Sequence, residues 1–193
     1  KSHSLGWITR YCNVFSTLFP PSAPMYTIMY FLWKFSLFSS HNLIFLEGSV
    51  TQRHTNICGE EITACCLDDR LRKIVIGDVS GRINVYNPAN GTLMKTCVDD
   101  VHETVVDLQY IKSSRRFVAG YANGLMRIYD EGALDDCPLI RSFEEFNRHP
   151  ELLGLRYSED DRTVASTGGA SEFVRLWDIG SGKCDMEIKA CEP

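Results

Sequence analysis

Residues 74–87 have the sequence IVIGDVSGRINVYN, and the chain repeats the pattern of this segment twice. Residues 117–130, which start 43 positions later, are FVAGYANGLMRIYD, and residues 164–178 are VASTGGASEFVRLWD with one residue inserted in the turn. Each copy holds two apolar segments around a polar turn and ends on an aromatic residue followed by Asp or Asn. A repeat of this length and ending predicts a series of similar β-sheet units.

Four strands are predicted in each unit. The first strands are predicted at residues 62–67, 105–110 and 152–157, and the second strands at 73–77, 116–120 and 163–166. Each first strand carries apolar residues at its first, fourth and sixth places, and alternation of this kind is typical of a half-buried strand. Residues 87–91 and 178–182 are predicted to be tight hairpin turns before the outer strands. The three predicted units cover residues 61–97, 104–143 and 151–190 approximately.

The third unit carries a resemblance to a known family. Residues 152–166 resemble the opening half of a WD-repeat blade, and VRLWD at 174–178 resembles its signature ending. In the first two units Tyr86-Asn87 and Tyr129-Asp130 stand where the family has Trp-Asp. The resemblance implies an all-β fold, a β-propeller fragment of about three four-stranded WD-repeat blades within residues 51–193. A closed propeller has about four to eight blades, so we expect the chain to be part of a longer protein or of a multiprotein complex.

The sequence departs from the family in its blade-stabilising residues. WD-repeat blades often have a His before the first strand and an Asp in the turn before the third. His102 and His149 occupy the first place in two units, but the first unit has Gly59 there. The turn position holds Ser80, Asn123 and approximately Ser171. We therefore expect these blades to be less rigid than is usual in the family.

The N-terminal segment, residues 1–50, is predicted to lie outside the propeller because its composition differs sharply. Residues 1–46 contain no Asp or Glu and 11 of the 21 aromatic residues, whereas residues 47–193 carry all 25 acidic residues against 17 basic ones. The apolar run 25–38 is shorter than the roughly 20 residues that a spanning helix needs. Three hypotheses remain: a membrane or interface anchor, a disordered or partner-covered extension, and a non-authentic sequence such as a translated intron.

Charge and cysteine content narrow the class of protein. The net charge of −5 argues against nucleic-acid binding, which favours a basic surface. The eight cysteines include no Cys-x-x-Cys pair and no Cys/His cluster with zinc spacing. They are interpreted as reduced thiols of a cytoplasmic protein. Turn patterns near residues 67–78 resemble those of large multi-propeller WD-repeat proteins, some of which serve cilia, so a cytoskeletal or ciliary location is a narrower alternative.

Sites for catalysis are not predicted. Residues 180–183 (GSGK) lack the earlier Gly and the following Ser or Thr of a phosphate-binding loop. Four Asp-Asp pairs lie in polar turns or ahead of a strand and show no calcium-loop spacing. The sequence therefore predicts no enzyme activity, no metal site and no cofactor.

A protein-binding surface is the function that the resemblance implies. In the family, the loops before the first strand and between the second and third strands line one face, where peptides and partner domains dock. Candidate partner-binding residues on those loops are Tyr121, His102, Asn123 and Asp78, with Tyr121 as the aromatic anchor. We predict a non-catalytic scaffold that binds other proteins or peptides. The alternatives are a membrane-tethered propeller using residues 25–46 and a propeller-shaped enzyme.

Overall fold

The computed structural model describes most of the chain from residue 35 onwards. The described residues are 35–39, 42–47, 49–97, 100–112, 114–134, 136–143, 152–158, 162–168 and 173–189. These ranges form fifteen β-strands joined by turns and contain no helix. The predicted all-β class is therefore confirmed for the described chain.

Twelve of these strands form three four-stranded antiparallel sheets, here called blades 1, 2 and 3. In each blade, strands that follow one another in sequence are neighbours in the sheet. Blade 1 holds β4 (Ile62–Leu67), β5 (Ile74–Asp78), β6 (Ile83–Tyr86) and β7 (Leu93–Cys97). Blade 2 holds β8 (Val105–Ile111), β9 (Arg116–Tyr121), β10 (Met126–Asp130) and β11 (Leu139–Ser142). Blade 3 holds β12 (Leu152–Tyr157), β13 (Thr163–Gly168), β14 (Phe173–Asp178) and β15 (Cys184–Lys189).

A separate three-stranded sheet contains β1 (Phe35–Ser39), β2 (Asn42–Glu47) and β3 (Ser49–His54), in the order β1-β2-β3. The chain divides into two compact units, with residues 44–53 in one and residues from 54 onwards in the other. The membrane-anchor hypothesis concerned residues 25–46, of which 25–34, 40 and 41 lie outside the described residues. In the described part of the chain, no helix has the length and apolar character needed to cross a membrane.

The three blades share their irregularities as well as their strands. The pairing of first and second strands shifts register between Ile62 and Ala64, between Val105 and Asp107, and between Leu152 and Gly154. The third and fourth strands shift register immediately before the residue that ends each repeat motif, Tyr86, Tyr129 or Trp177. A bulge bends a strand and raises its twist. Bulges at equivalent places therefore give the three sheets the same shape.

Turn chemistry explains where the second strands end. In blade 1 the Asp78 carboxylate accepts bonds from the backbone N–H groups of Ser80 and Arg82, at 2.9 and 3.1 Å. In blade 2 the Asn123 side-chain oxygen accepts the N–H of Leu125 at 3.0 Å. Gly81 and Gly124 take the positive φ values, +90° and +87°, that these turns need.

The core lies between the blades. In blades 1 and 2, we call the face that packs on the next blade along the chain the leading face. The same name is used for the equivalent face of blade 3, and the opposite face of each blade is its trailing face. Val75, Ile83 and Val85 of the leading face of blade 1 pack against the trailing face of blade 2, which includes Phe117 and Tyr129. The leading face of blade 2 and the trailing face of blade 3 form a second buried cluster with the following members: Val118, Met126, Ile128, Leu152, Leu155, Val164 and Trp177. Burial of this apolar surface is the main term that holds the blades together.

Candidate functional site

Loops of blades 1 and 2 meet at one edge of the sheets and form the surface that we call the upper rim. The upper rim consists of residues 58–61, 78–81, 101–104 and 121–124. Val79 links three of these loops, because its N–H donates to the Glu61 carbonyl at 3.0 Å and its carbonyl accepts the Thr104 hydroxyl at 3.1 Å. Ala122 then donates to the Thr104 carbonyl at 2.9 Å. The predicted loops of blades 1 and 2 are thus brought together. The blade 3 loops were predicted at 147–151 and 167–172; Thr167 and Gly168 belong to β13, and the remaining residues of both loops lie outside the described residues.

The exposed part of the upper rim is polar and mostly acidic. Glu60, Glu61, Glu103, His102 and Asn123 are exposed, and Val79 contributes an apolar side chain that is 42% exposed. Arg82, just beyond the rim, lies 3.6 Å from the Glu60 carboxylate in an ion pair that is open to solvent. Exposed ion pairs of this kind contribute little stability.

Tyr121 does not occupy the place that the sequence predicted. It is the last residue of β9 rather than a turn residue, and its side chain is 0% exposed. Its hydroxyl lies 2.7 Å from the Tyr129 hydroxyl inside the cluster between blades 1 and 2. The prediction of an exposed aromatic anchor is therefore wrong in its geometry, because the neighbouring blade covers the ring.

Asp78 is also buried, with an exposed fraction of 4%. Besides the two backbone bonds already described, its carboxylate accepts the Ser80 hydroxyl at 2.6 Å. Through these bonds the Asp78 carboxylate closes the β5–β6 turn. Asp78 therefore fixes the conformation of an upper-rim loop and is not itself available at the surface. His102 and Asn123, by contrast, are exposed as a contact residue needs to be. His149 lies outside the described residues.

The aromatic residue at or next to the end of each third strand has a different polar partner in each blade. In blade 3 the Trp177 indole N–H donates to the Ser166 hydroxyl at 2.8 Å. In blade 2 Tyr129 contacts Tyr121, and in blade 1 the Tyr86 hydroxyl lies 3.7 Å from the Cys58 sulfur. Burial and the contact with Cys58 raise the pKa of Tyr86 to about 12. Neither Ser166 nor Cys58 stands out in the amino-acid sequence. The available signal for Ser166 was a hydroxyl residue two places after Val164, on the same face of the strand.

The described cysteines behave as free thiols. None of the six cysteines in the described chain forms a disulfide, which agrees with the interpretation as reduced thiols for those six. Burial raises the pKa of Cys58 and of Cys66, so both are neutral and weakly reactive near neutral pH. No group of three or more His, Cys, Asp or Glu side chains among the described residues is placed to hold a metal ion.

A second surface is the leading face of blade 3. The strand register places Ala165, Val174, Leu176, Met186 and Ile188 on this face. Met186 and Ile188 are 54% and 46% exposed, in contrast to the buried leading faces of blades 1 and 2. A groove of about 360 Å³ opens on the same sheet, lined by Arg156, Tyr157, Ser158, Thr163, Ala165 and Leu176.

Comparison with known proteins establishes the fold. The chain is similar to the crystal structure of the Cps50 (Swd1) β-propeller domain of Myceliophteria thermophila, with a TM-score of 0.67 and 14% sequence identity. The match covers 83% of this chain and 57% of that domain, so the chain spans little more than half of its length. The predicted fold class, a β-propeller fragment of three four-stranded blades, is thereby confirmed. No protein-family model and no curated protein sequence matches the chain.

Proposed function

We propose that this chain is part of a WD-repeat β-propeller that serves as a non-catalytic scaffold for other proteins or peptides in the cytoplasm. The observation that carries the proposal is the upper rim, where four loops from two blades are hydrogen-bonded into one exposed surface. A rigid sheet that positions polar loops is a common basis for binding. The WD-type ending of blade 3 and the propeller fold of the chain support the same class of function.

The contact residues on the upper rim are His102 and Asn123, with the exposed Val79 side chain between the loops that carry them. Tyr121 and Asp78 do not contact the partner in this proposal. Tyr121 packs beneath the rim, and Asp78 closes the β5–β6 turn. The acidic character of the exposed rim favours a partner segment with basic side chains, which would be steered by electrostatic complementarity. Binding should therefore weaken as the salt concentration rises.

Site-specific photo-crosslinking tests the proposal. A photoreactive amino acid would replace His102 or Asn123 in the whole chain, and crosslinked partners would be counted by gel shift and identified by mass spectrometry. Asp69 and Ala89 provide matched controls, because both are exposed and lie in turns at the opposite end of the blade 1 strands. The proposal expects adducts with other polypeptides from the two rim positions and few from the two controls. Equal crosslinking from all four positions, or from the controls alone, would refute the assignment of the rim.

A further inference from the structure

The outer strands of blades 1 and 2 each carry a cation that binds the following blade. In blade 1 the Lys95 ammonium donates to the Glu131 carbonyl at 2.5 Å and to the Ala133 carbonyl of blade 2. In blade 2 the Arg141 guanidinium donates to the Ser181 carbonyl of blade 3 at 2.8 Å. The acceptors lie in the turns between the third and fourth strands of the following blade. A side-chain cation therefore fastens each of the two contacts between successive blades.

Blade 3 has a different residue at this place. Met186 occupies the equivalent position on β15, because it pairs with the residue before the third-strand aromatic, as Lys95 and Arg141 do. A thioether has no N–H group to donate to a carbonyl. Thr167 is a second difference, since blades 1 and 2 have a glycine there that admits the first strand of the following blade. The leading face of blade 3 is therefore not built to receive a blade in the way that blades 1 and 2 are.

The leading face of blade 3 is nevertheless apolar. Val174 and Leu176 lie at its centre, and Met186 and Ile188 on the outer strand are 54% and 46% exposed. Withdrawal of such side chains from water is favourable. All four strands have six residues, so the face measures about 20 Å by about 19 Å. Two such faces packed together bury on the order of 1,000 Å² in total, the lower limit for a specific interface.

Opposite charges lie at the two edges of this face. Arg156 belongs to the edge strand β12, and its side chain is 77% exposed although Nη1 lies 3.3 Å from the Asp107 carboxylate. Asp185 is exposed at the bulge of the other edge strand, β15, next to Met186. Strand pairing places the following residues in one row across the sheet: Arg156, Ala165, Leu176 and Met186. The cation and the carboxylate are therefore at nearly the same height along the strands.

A two-fold axis parallel to the strands brings these edges together. Rotation about such an axis places β12 of one copy over β15 of a second copy, at the same height along the strands. Arg156 of each copy then faces Asp185 of the other, and the apolar centres of the two faces coincide. A two-fold axis perpendicular to the strands would place β12 over β12 and would not bring these two charges together. Charge complementarity therefore selects the first arrangement, and two-fold pairing is the commonest form of self-association.

We propose that the leading face of blade 3 is a self-association surface, on which a second copy of this chain packs its own leading face about a two-fold axis parallel to the strands. Apolar burial drives the association. The two pairs of Arg156 with Asp185 fix the orientation, because charges across an interface contribute more to specificity than to affinity. The small area predicts a weak dimer, monomeric at about 1 µM and mostly dimeric above about 100 µM. The proposal is independent of the upper rim, whose residues belong to blades 1 and 2.

Sedimentation equilibrium of the whole chain over this concentration range tests the proposal. The expected result is a reversible equilibrium between monomer and dimer. Met186→Asp should raise the dissociation constant about tenfold or more, because the dimer would then bury two carboxylates in an apolar contact. Ile140→Asp is the matched control, since Ile140 is 43% exposed on the outer strand of blade 2, and it should leave the constant unchanged. Circular dichroism checks that each variant is folded.

Charge reversal tests the orientation. Arg156→Glu alone, or Asp185→Arg alone, gives a symmetric dimer two like-charged pairs, and each should weaken the association about tenfold. An equimolar mixture of the two variants restores opposite charges in both pairs, so a mixed dimer should form with nearly the parental constant. A loss of folding in one variant would not produce this recovery. A chain that stays monomeric throughout the range would leave the face to a further sheet or another protein and would overturn the proposal, as would a mixture no tighter than its components.

Discussion

The leading faces of blades 1 and 2 differ from the leading face of blade 3, although all three are built on the same strand register. In blade 1 the position paired with Ala64 is Gly77, and in blade 2 the position paired with Asp107 is Gly120. A Cβ atom on Gly77 would lie 2.6 Å from a Val105 methyl carbon of the next blade. The two glycines therefore permit the first strand of the following blade to approach closely.

Blade 3 has Thr167 at the equivalent position, paired with Gly154, and this side chain is exposed. The apolar residues around it, such as Met186 and Ile188, are about half exposed rather than buried. A sheet could not pack on blade 3 as closely as blade 2 packs on blade 1 without displacing Thr167. Contact with a neighbouring blade, and not strand formation, therefore determines which residue this position tolerates.

The largest expected effect compares two adjacent residues on opposite faces of β14. Trp177 is 1% exposed and makes an edge-on contact with Phe143, with ring centroids 5.8 Å apart, whereas Leu176 points to the open face. Trp177→Ala should lower the free energy of unfolding by about 3–5 kcal/mol. Leu176→Ala should cost less than about 1.5 kcal/mol, since less surface is withdrawn from water. Urea denaturation measures the free energy of unfolding of both variants. Equal losses of that free energy would mean that the leading face of blade 3 is covered in solution.

A smaller effect is expected from filling the glycine site. Gly77→Val should lower the free energy of unfolding by about 2–3 kcal/mol, because the added side chain overlaps the rigid Cβ of Val105 at the blade 1–blade 2 contact. The matched control is Thr167→Val in blade 3, with an expected change within about 0.5 kcal/mol. Denaturant midpoints of the two variants make the comparison. A stable Gly77→Val protein would show that the two blades can separate slightly at low cost.

Removal of one buried hydrogen bond should have a still smaller effect. Ser166→Ala removes the hydroxyl that accepts the Trp177 indole N–H and should cost about 1–2 kcal/mol. Thr167→Ala changes the neighbouring residue on the exposed face and should be nearly neutral. Thermal unfolding followed by tryptophan fluorescence distinguishes the two. If Ser166→Ala were as stable as the parent chain, another acceptor would have to replace the lost hydroxyl.

The least pronounced effect concerns the trailing face of blade 1 at high pH. The pKa of Tyr86 is raised to about 12 by burial and by Cys58, so the folded chain favours the neutral phenol. An unfolded tyrosine titrates near pH 10. The stabilisation is therefore complete below about pH 10 and is lost as the pH rises towards about 12. Tyr86→Phe should flatten this part of the curve of unfolding free energy against pH, and an unchanged slope would assign the loss to other groups.

Most of the fold could be predicted because its signals are local. The first strands were predicted at residues 62–67, 105–110 and 152–157, and the structure gives the same bounds except that β8 extends to Ile111. The hairpin turns at 87–91 and 178–182 close through bonds from Gly91 and Gly182 to the carbonyls of Asn87 and Asp178. Apolar alternation and turn residues act within a few positions of the chain, so the sequence alone carries them.

The candidate site was less predictable, as Tyr121 and Asp78 show. Both follow a predicted strand in sequence and were expected in an exposed loop, yet each strand continues for one more residue and the side chain is buried. Strand ends are the least certain part of any sequence-based assignment. His102 and Asn123 lie in polar loops that none of the three described blades covers, and they are exposed as expected.

The strands, the turns and the repetition of one blade shape follow from the amino-acid sequence, because side-chain alternation and backbone preferences act within about 40 residues. The packing of successive sheets sets which face of each blade is buried and which hydroxyl or thiol meets each third-strand aromatic. Those contacts join residues that are far apart in the chain. Their existence depends on how closely successive sheets pack, a quantity that no single repeat encodes.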